Sequence, residues 1–278
     1  MTEDHVLVVG IDGVRYDTLG EVATPHLDAL EAAGFLRPLR VNDAGPTISG
    51  PGWSTIFTGV LTPDHGVVDN DFSSNRYAEP PDVVSLVHRQ RPDVATWVGA
   101  GWSPLVTNDS GGPLFADGGW SPASPPAHTC EAWLAVDAEM TGQAVAHLTA
   151  HAADGGSLVV AYLGAPDEVA HLRGVGPEYR DAIAAADLHL GRLLAACAGR
   201  AGEDWTVIVV TDHGHVDDGG HGGDTEVERT AWIAASGPGL STAGPRPLEH
   251  ADVAAHTLAV LGATPTSPAF IGRPFGTR

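Results

Sequence analysis

The sequence predicts an α/β fold in which helices flank a mostly parallel central sheet. Short apolar runs alternate along the chain with segments of helical periodicity, which is the pattern of parallel βαβ units. The 278 residues can bury a large core, and 43% hydrophobic against 18% charged residues is a globular composition. Several apolar runs also end next to a carboxylate or an imidazole. In α/β sheets such side chains meet at the carboxyl edge, where these folds place their sites.

Six short apolar runs are predicted as strands. They lie near 5–11, 36–41, 94–98, 157–163, 205–210 and 230–235. Six further segments are predicted as helices. They lie at 25–34, 52–59, 82–90, 130–152, 177–199 and 250–261. The clearest helix is 177–199, where apolar residues recur at helical spacing. Cys130 and Cys197 fall in two of these helices without zinc-type spacing or a disulfide framework, so we expect them to be small apolar helix residues.

We expect one domain over residues 1–278 with a loop-rich insertion near 101–128. This segment is rich in Gly, Pro and Ser, and loops of such length in a compact domain are often lids or binding loops. The stretch 214–224 is rich in Gly and Asp and is also predicted as a loop. We expect the functional site to lie at the strand ends and in these two segments.

The charge of the chain excludes several function classes. The formal net charge is −21, and all fourteen basic residues are arginine. The absence of lysine excludes a lysine Schiff base, a lysine general base and a P-loop lysine. Nucleic acid is not an expected partner, because a strongly negative field repels its phosphates. A bound pair of divalent cations would reverse the sign of this field locally.

The start of the chain gives an expectation about location. Residues 1–5 are acidic and lead directly into a strand, without the basic segment and long apolar run of a signal peptide. No stretch approaches eighteen consecutive apolar residues, so no membrane span is expected. We therefore expect a cytoplasmic enzyme, and the sequence does not indicate its oligomeric state.

Asp12 is the first candidate metal ligand. It directly follows the first predicted strand, and the glycines at 10 and 13 let the backbone turn tightly near an ion. The alternative is a helix N-cap, a position that favours Asp. Asp167 and His171 follow the fourth strand at spacing i, i+4, so they would share one face of a helical turn. A carboxylate and an imidazole on one face suit Zn²⁺ or Mn²⁺, and the alternative is a surface pair.

The fifth strand leads into Asp212 and His213. Adjacent side chains point apart unless the backbone turns sharply, which Gly214 allows, and two neighbouring metals would use such divergent ligands. His221 stands between two glycines, and its alternative role is an exposed loop histidine. His215 is expected to be solvated, or to support a ligand at most. Together these residues suggest a two-metal hydrolytic centre.

Ser49 is the candidate nucleophile. A helix is predicted to begin near Pro51 or Gly52, and the N–H groups at its amino terminus favour a bound phosphate. The alternative is that Ser49 only caps this helix. Gly50 is expected to leave room for a substrate, and Thr47 is a less suitable nucleophile two residues upstream.

Taken in order, these motifs resemble the alkaline phosphatase superfamily, and within it the type I phosphodiesterase and nucleotide pyrophosphatase branch. The resemblance spans roughly residues 5–240. It rests on Asp12 after a strand, Pro-Thr-x-Ser49-x-Pro, Thr58-Gly59-x-x-x-Pro63-x-His65-Gly66, Asp167-x-x-x-His171, Asp212-His213-Gly214 and His221-Gly222. It implies a three-layer sandwich, and a phosphoester hydrolase with two divalent metal ions, zinc in the first place and manganese as the alternative.

The resemblance also implies residue roles. One metal would be held by Asp167, His171 and His221. The other would be held by Asp12, Asp212, His213 and the oxygen of Ser49. Asn70 matches the position from which an Asn of this branch binds a phosphoryl oxygen. The sequence departs from the branch in three respects. Ser49 stands where the branch usually has Thr, which leaves the chemistry intact. Gly50 replaces an aromatic residue that stacks on nucleotide bases, and the chain has little room for the large insertions that build substrate pockets in many relatives, so the substrate is left open.

The expected reaction is hydrolysis of a phosphodiester or pyrophosphate in a small-molecule substrate through a phosphoserine intermediate. A divalent metal lowers the pKa of a coordinated hydroxyl, which would turn Ser49 into a nucleophile. A monoester dianion needs more positive charge than a diester, and a chain without lysine favours the diester. A small-metabolite phosphomonoesterase and a non-catalytic member of the fold stay open as alternatives. A sulfatase is disfavoured because Trp53 stands where its Cys/Ser-x-Pro-x-Arg motif needs Arg, and a phosphoglycerate mutase because it uses lysine ligands.

Overall fold

The computed structural model describes residues 4–123, 127–150, 155–238, 240 and 246–276. Six strands form one sheet. They are β1 (Asp4–Ile11), β2 (Phe35–Arg40), β3 (Ala95–Ala100), β4 (Ser157–Leu163), β5 (Asp204–Val210) and β6 (Thr230–Ser236). Their order is β2-β6-β5-β1-β4-β3, and β6 runs antiparallel to both of its neighbours. The other three pairings are parallel, which confirms the mostly parallel sheet.

Nine α-helices lie in the described part of the chain. They are α1 (Pro25–Ala33), α2 (Ser49–Thr58), α3 (Thr62–His65), α4 (Val83–Gln90), α5 (Cys130–Ala150), α6 (Ala165–Arg173), α7 (Pro177–Ala198), α8 (Glu226–Arg229) and α9 (Asp252–Val260). The helices α1, α5, α6 and α7 cover one face of the sheet, while α2, α4 and α9 cover the other. The predicted three-layer sandwich is confirmed.

The central strand β1 shows why the sheet is buried on both faces. Val6 and Val8 pack into the core on the α2 side, and Leu7 and Val9 pack into the core on the α7 side. All four side chains have no exposed surface. Strands of a parallel sheet covered by helices on both faces are expected to be apolar at every position, and this strand is.

The predicted helix bounds differ from the structure by one to three residues. Helix α2 begins at Ser49, three residues before the predicted start, because Ile48 is the extended residue that precedes it. The predicted helix 130–152 is α5 as far as Ala150, and its last two positions lie outside the described residues. Cys130 and Cys197 both lie in helices and are free thiols, as predicted.

Residues 101–123 form a loop that packs against the core. The loop contains two short 3-10 helices, Ser103–Leu105 and Asp109–Gly111, and Trp120 forms one isolated bridge with Gly99 of β3. Within the described residues, no helix is both long enough and apolar enough to cross a membrane.

Candidate metal centre and active site

Three carboxylates meet at the carboxyl edge of the sheet. Asp12 follows β1, Asp212 follows β5 after one residue, and Asp167 lies in the first turn of α6, directly after β4. Since β1 pairs with both β4 and β5, these three chain ends are neighbours. All three carboxylates are buried. Sheet topology thus joins residues that are 155 and 200 positions from Asp12.

The first group of ligand-type atoms is formed by Asp12, Asp212 and His213, with Ser49 beside it. His213 Nε2 lies 3.2 Å from Asp212 Oδ2 and 3.8 Å from Asp12 Oδ1. The hydroxyl of Ser49 lies 3.3 Å from the same nitrogen. The ligand-type atoms of the two carboxylates and the imidazole all lie within 4.8 Å of one another.

The donors around this group fit a cation. Asp12 Oδ2 accepts hydrogen bonds from Trp53 Nε1 at 2.8 Å and from the Tyr162 hydroxyl at 2.6 Å. Asp212 Oδ1 accepts from the backbone N–H of Gly13 at 3.2 Å. Asp12 Oδ1 and Asp212 Oδ2 are buried and receive no hydrogen bond from the described residues. Such oxygens are costly to bury unless a positive charge compensates them.

Burial acts on the ionisation of the same two carboxyl groups. It raises the pKa of Asp12 well above its usual range, and repulsion from Asp212 and Asp167 adds to the rise. Burial likewise raises the pKa of Asp212 to about 7, with Asp167 as the second cause. Their charged forms are therefore disfavoured without a nearby cation, and a divalent ion would reverse that balance.

The second group is formed by Asp167, His171 and His221. His171 Nε2 lies 3.4 Å from Asp167 Oδ2, and His221 Nε2 lies 3.6 Å from Asp167 Oδ1. The two Nε2 atoms lie 2.9 Å apart. Asp167 and His171 share one face of α6, as their spacing predicted. This group is more open than the first, because the His171 side chain is 37% exposed.

Backbone carbonyl groups fix which nitrogen each histidine presents. His221 Nδ1 donates to the carbonyl of Thr47 at 2.8 Å, and His213 Nδ1 donates to that of Gly214 at 3.2 Å. A carbonyl only accepts, so the proton of each neutral ring lies on Nδ1 and the lone pair on Nε2. Burial lowers the pKa of both rings, which keeps them neutral. Neutral imidazoles oriented in this way are metal ligands in many proteins.

Thr47 connects the nucleophile segment to the loop of His221. Besides the carbonyl bond to His221, its hydroxyl donates to the Gly223 carbonyl at 2.9 Å and accepts from the Gly222 N–H at 3.0 Å. Thr47 is 1% exposed. Thr47 therefore positions the candidate ligand His221, and its hydroxyl is bonded on both sides and not presented as a nucleophile.

Ser49 occupies the first turn of α2 and does not cap it. The N-cap is Ile48, which makes no side-chain cap bond, so the capping alternative for Ser49 is wrong. Asn70 is adjacent: its Oδ1 accepts from the backbone N–H of Gly50 at 2.9 Å, and its Nδ2 is left to donate elsewhere.

The expected role of Gly50 needs correction. A Cβ atom at this position would lie 2.2 Å from the carbonyl oxygen of Asp69 and 3.2 Å from Asn70 Oδ1. The space beside Gly50 is filled by the loop that carries Asn70, and is not free for a substrate.

Residues 6–260 match the family model of type I phosphodiesterase / nucleotide pyrophosphatase. The chain belongs to this family. The expectation of a hydrolase that acts on phosphoric ester bonds is confirmed by this membership. The match covers every residue of the two ligand groups described above.

Solved structures share the fold of this family member at low sequence identity. Murine ectonucleotide pyrophosphatase/phosphodiesterase 5 is 16% identical, with a TM-score of 0.65 over 94% of this chain and 96% of that one. BT1596, a 2-O GAG sulfatase, is 14% identical, with a TM-score of 0.70 over 97% of this chain and 73% of that one. These likenesses establish the alkaline-phosphatase-like architecture.

The sequence missed the burial of His215 at this phosphodiesterase-family site, although its alternative role, support of a candidate ligand, fits the contact observed. The side chain is fully buried, and its Nε2 lies 2.8 Å from Asp167 Oδ1. Its Nδ1 donates to the Gly219 carbonyl at 3.0 Å. The hydrogen bond from His215 is the main factor that lowers the pKa of Asp167 against the opposing effect of burial. His215, His213 and Asp167 also form a third group of ligand-type atoms.

Asp137 was also missed, since nothing near it in the sequence suggests a site. Its two carboxylate oxygens accept from the backbone N–H groups of Gly164 and Ala165 at 3.0 and 2.9 Å. These are the groups where α6 begins, so Asp137 of α5 fixes the helix that carries Asp167 and His171. Asp137 lies 27 and 28 positions from its two partners, so no local sequence pattern indicates this contact.

Proposed function

We propose that the protein hydrolyses a phosphodiester or pyrophosphate bond of a small molecule through a phosphoserine intermediate at Ser49. The observation that supports this most is the place of the Ser49 hydroxyl, 3.3 Å from His213 Nε2 within the first ligand group. Seven candidate side chains from five separate segments converge there and in the second group. The family membership supports the reaction class.

Two divalent cations, zinc in the first place and manganese as the alternative, would complete the site. Asp12, Asp212, His213 and the Ser49 oxygen would hold one of them. Asp167, His171 and His221 would hold the other. Carboxylate and imidazole donors suit both metals. When bound, the ions would lower the pKa of the serine hydroxyl and stabilise the negative charge of the transferring phosphoryl group.

The residues of the chain would then position and stabilise the reacting group. Ser49 Oγ attacks phosphorus, a P–O bond to the leaving alcohol or phosphate breaks, and water later hydrolyses the Ser49 ester. The positive end of the α2 dipole, next to Ser49, would favour the charge of a bound phosphoryl group. Asn70 Nδ2, left to donate by the Oδ1 contact with Gly50, would bind an equatorial oxygen.

A diester or pyrophosphate is the proposed substrate because few positive side chains adjoin the site. Arg15, the arginine near the turn after β1, pairs with Asp17 and Asp217 at 2.6 Å each. It is therefore engaged by two carboxylates. A monoester dianion would need more cationic side chains than the described residues around Ser49 provide.

Ser49→Ala tests the proposal. We expect the turnover of bis-p-nitrophenyl phosphate to fall by several orders of magnitude, because the nucleophilic oxygen is lost. Metal content, measured by elemental analysis, should stay near two ions per chain, because six other ligands remain. Near-wild-type turnover in Ser49→Ala would refute the role of Ser49, and a wild type that prefers p-nitrophenyl phosphate would refute the diester.

A further inference from the structure

Arg229 is a buried arginine to which the proposed reaction gives no part. It is the last residue of α8, directly before β6, and only 5% of it is exposed. A buried guanidinium is costly unless acceptors surround its N–H groups. The acceptors that it has found therefore indicate which parts of the chain it holds in place.

Two of these acceptors lie in the segment that leads to Ser49. Arg229 Nη1 donates to the backbone carbonyl of Gly45 at 2.9 Å and to that of Asn42 at 3.2 Å. The segment, residues 41–48, connects β2 with α2 and is neither helix nor strand. Its conformation therefore depends on contacts with other parts of the chain, and the guanidinium supplies two of them.

The third acceptor lies in the loop of His221. Arg229 Nε donates to Asp224 Oδ1 at 3.0 Å, and Nη2 donates to the same oxygen. Asp224 follows His221 by three residues, and Glu228 holds the part between them by accepting from the Gly223 N–H at 2.7 Å. The guanidinium is planar and carries donors in a fixed fork, so one rigid group joins the two segments.

Thr47 extends this link to both ligand groups. Its carbonyl accepts from His221 Nδ1, and its hydroxyl bonds the backbone one and two residues after His221. Thr47 also stands two residues after Gly45 and two residues before Ser49. A displacement of the segment would therefore move one candidate ligand of each group.

We propose that Arg229 is a positioning residue that fixes Ser49 and His221 relative to each other. A lysine would keep the charge and lose this function, because a single ammonium on a flexible stem cannot bond both carbonyls and the carboxylate at once. Position matters for the reaction, since a misplacement of about 1 Å can lower a rate by about 100-fold. The effect on turnover rests on the proposed function, whereas the anchoring of the two segments does not.

Arg229→Lys is the test variant, and Arg91→Lys is its matched control. Arg91 also joins a backbone carbonyl, that of Leu261 at 2.6 Å, to a carboxylate, that of Asp93 at 2.7 Å. It directly follows α4 and contacts neither of the two segments in these bonds. Asp224→Ala is the second variant: its side chain is 85% exposed, so it loosens the same link from the loop side and leaves the core intact.

Hydrogen exchange of the metal-free proteins, followed by mass spectrometry, measures the anchoring directly. We expect peptides that cover 41–48 and 221–225 to exchange at least about fivefold faster in Arg229→Lys than in the wild type. Asp224→Ala should show a smaller change in the same direction, and Arg91→Lys none in these peptides. Peptides from β1 should exchange at the wild-type rate in all three variants, which shows that the fold is kept. Wild-type protection of both segments in Arg229→Lys and Asp224→Ala would overturn the proposal.

Zinc titration and kinetics measure the consequence for the site. In Arg229→Lys we expect one of two zinc ions to bind at least about tenfold more weakly, because His221 is less well oriented. The kcat on bis-p-nitrophenyl phosphate should fall about 10–100-fold, and KM should change less than about twofold, because Arg229 is engaged by the chain itself. Arg91→Lys should match the wild type in all three quantities.

The outcomes separate the two proposals. Faster exchange in Arg229→Lys with wild-type zinc affinity and kcat would overturn the positioning role. A wild type that hydrolyses no diester, together with the expected exchange and zinc results, would overturn the proposed function and keep the role of Arg229.

Discussion

At the scale of single residues, Asp12 shows how a candidate ligand is oriented. Trp53 and Tyr162 both donate to Oδ2, and Oδ1 stays without a donor among the described residues. The two hydrogen bonds therefore fix the carboxylate with one oxygen directed to the place where a cation would be bound. Partners of this kind typically change metal affinity or activity by about 10–100-fold when they are removed.

Tyr162→Phe is predicted to weaken metal binding at Asp12 by about tenfold and to lower kcat by a similar factor. The fold should be retained, because only the hydroxyl is lost. Competition with a chromophoric chelator measures the affinity. Tyr77→Phe is the matched control, since the Tyr77 hydroxyl is also buried but bonds Ser54 at 2.6 Å. Equal losses in both variants would assign Tyr162 a purely structural role.

His215→Ala is predicted to weaken metal binding in the Asp167 group by about 10–100-fold, because Asp167 loses the partner that lies 2.8 Å from Oδ1. Isothermal titration with Zn²⁺ measures the loss. The control is His256→Ala, which removes a buried histidine of α9 on the other face of the sheet. Unchanged zinc affinity in His215→Ala would show that Asp167 is oriented without it.

At the scale of elements, the contact between α2 and the loop of Asn70 depends on one glycine. A side chain at Gly50 would collide with the Asp69 carbonyl, so the loop could not keep its place over the first turn of α2. The position of Asn70 relative to Ser49 is therefore set by the absence of a Cβ atom.

Gly50→Ala is predicted to lower kcat by at least tenfold while the protein still folds, because the displaced loop takes Asn70 out of reach of a phosphoryl oxygen. Gly142→Ala is the matched control: this glycine of α5 has nothing within 4 Å of the added Cβ. That variant should keep its activity and gain about 1 kcal/mol of stability, since Ala is the better helix former. Wild-type activity in Gly50→Ala would contradict the role given to the loop.

The elements also show what sequence could and could not predict. Strands and long helices were predictable because their periodicity is local, and Asp167 and His171 share a helix face as their spacing indicates. The Asp137 contact with α6 joins residues 27 and 28 positions apart, and no local pattern reports it. His215 follows a recognised motif, yet its burial depends on Asp167 and Gly219, which only the folded chain brings near.

At the scale of the whole molecule, the net charge of −21 adds electrostatic self-repulsion to the compact state. The order of ligands along the chain predicted that they would converge, because the carboxyl ends of parallel strands share one edge. A cavity beside Glu168, lined by the loop after β3 and by α5 and α6, was not predictable, because its walls come from three segments with unrelated patterns. Composition still excluded lysine chemistry throughout the protein.

Buried neutral histidines should make the stability of the whole chain fall in acid. His256 stacks on Phe275, and burial lowers its pKa from 6.5 to about 4. Below pH 6.5 the unfolded chain binds a proton that the folded chain does not bind until the pH nears 4. The free energy of unfolding therefore decreases as the pH falls through this window.

His256→Phe removes the titrating group and keeps a planar ring against Phe275. The decrease in the free energy of unfolding that His256 causes at low pH should therefore be absent in this variant. We predict that, between pH 8 and pH 5, the unfolding free energy of the wild type falls by about 2 kcal/mol more than that of the variant. Urea unfolding followed by circular dichroism at both pH values measures the difference. At pH 8 His256 is neutral in both the folded and the unfolded chain. The difference in unfolding free energy between the two proteins at this pH therefore measures the change in packing alone. Parallel pH profiles of the two proteins would show that His256 gains its proton equally in the folded and unfolded chains.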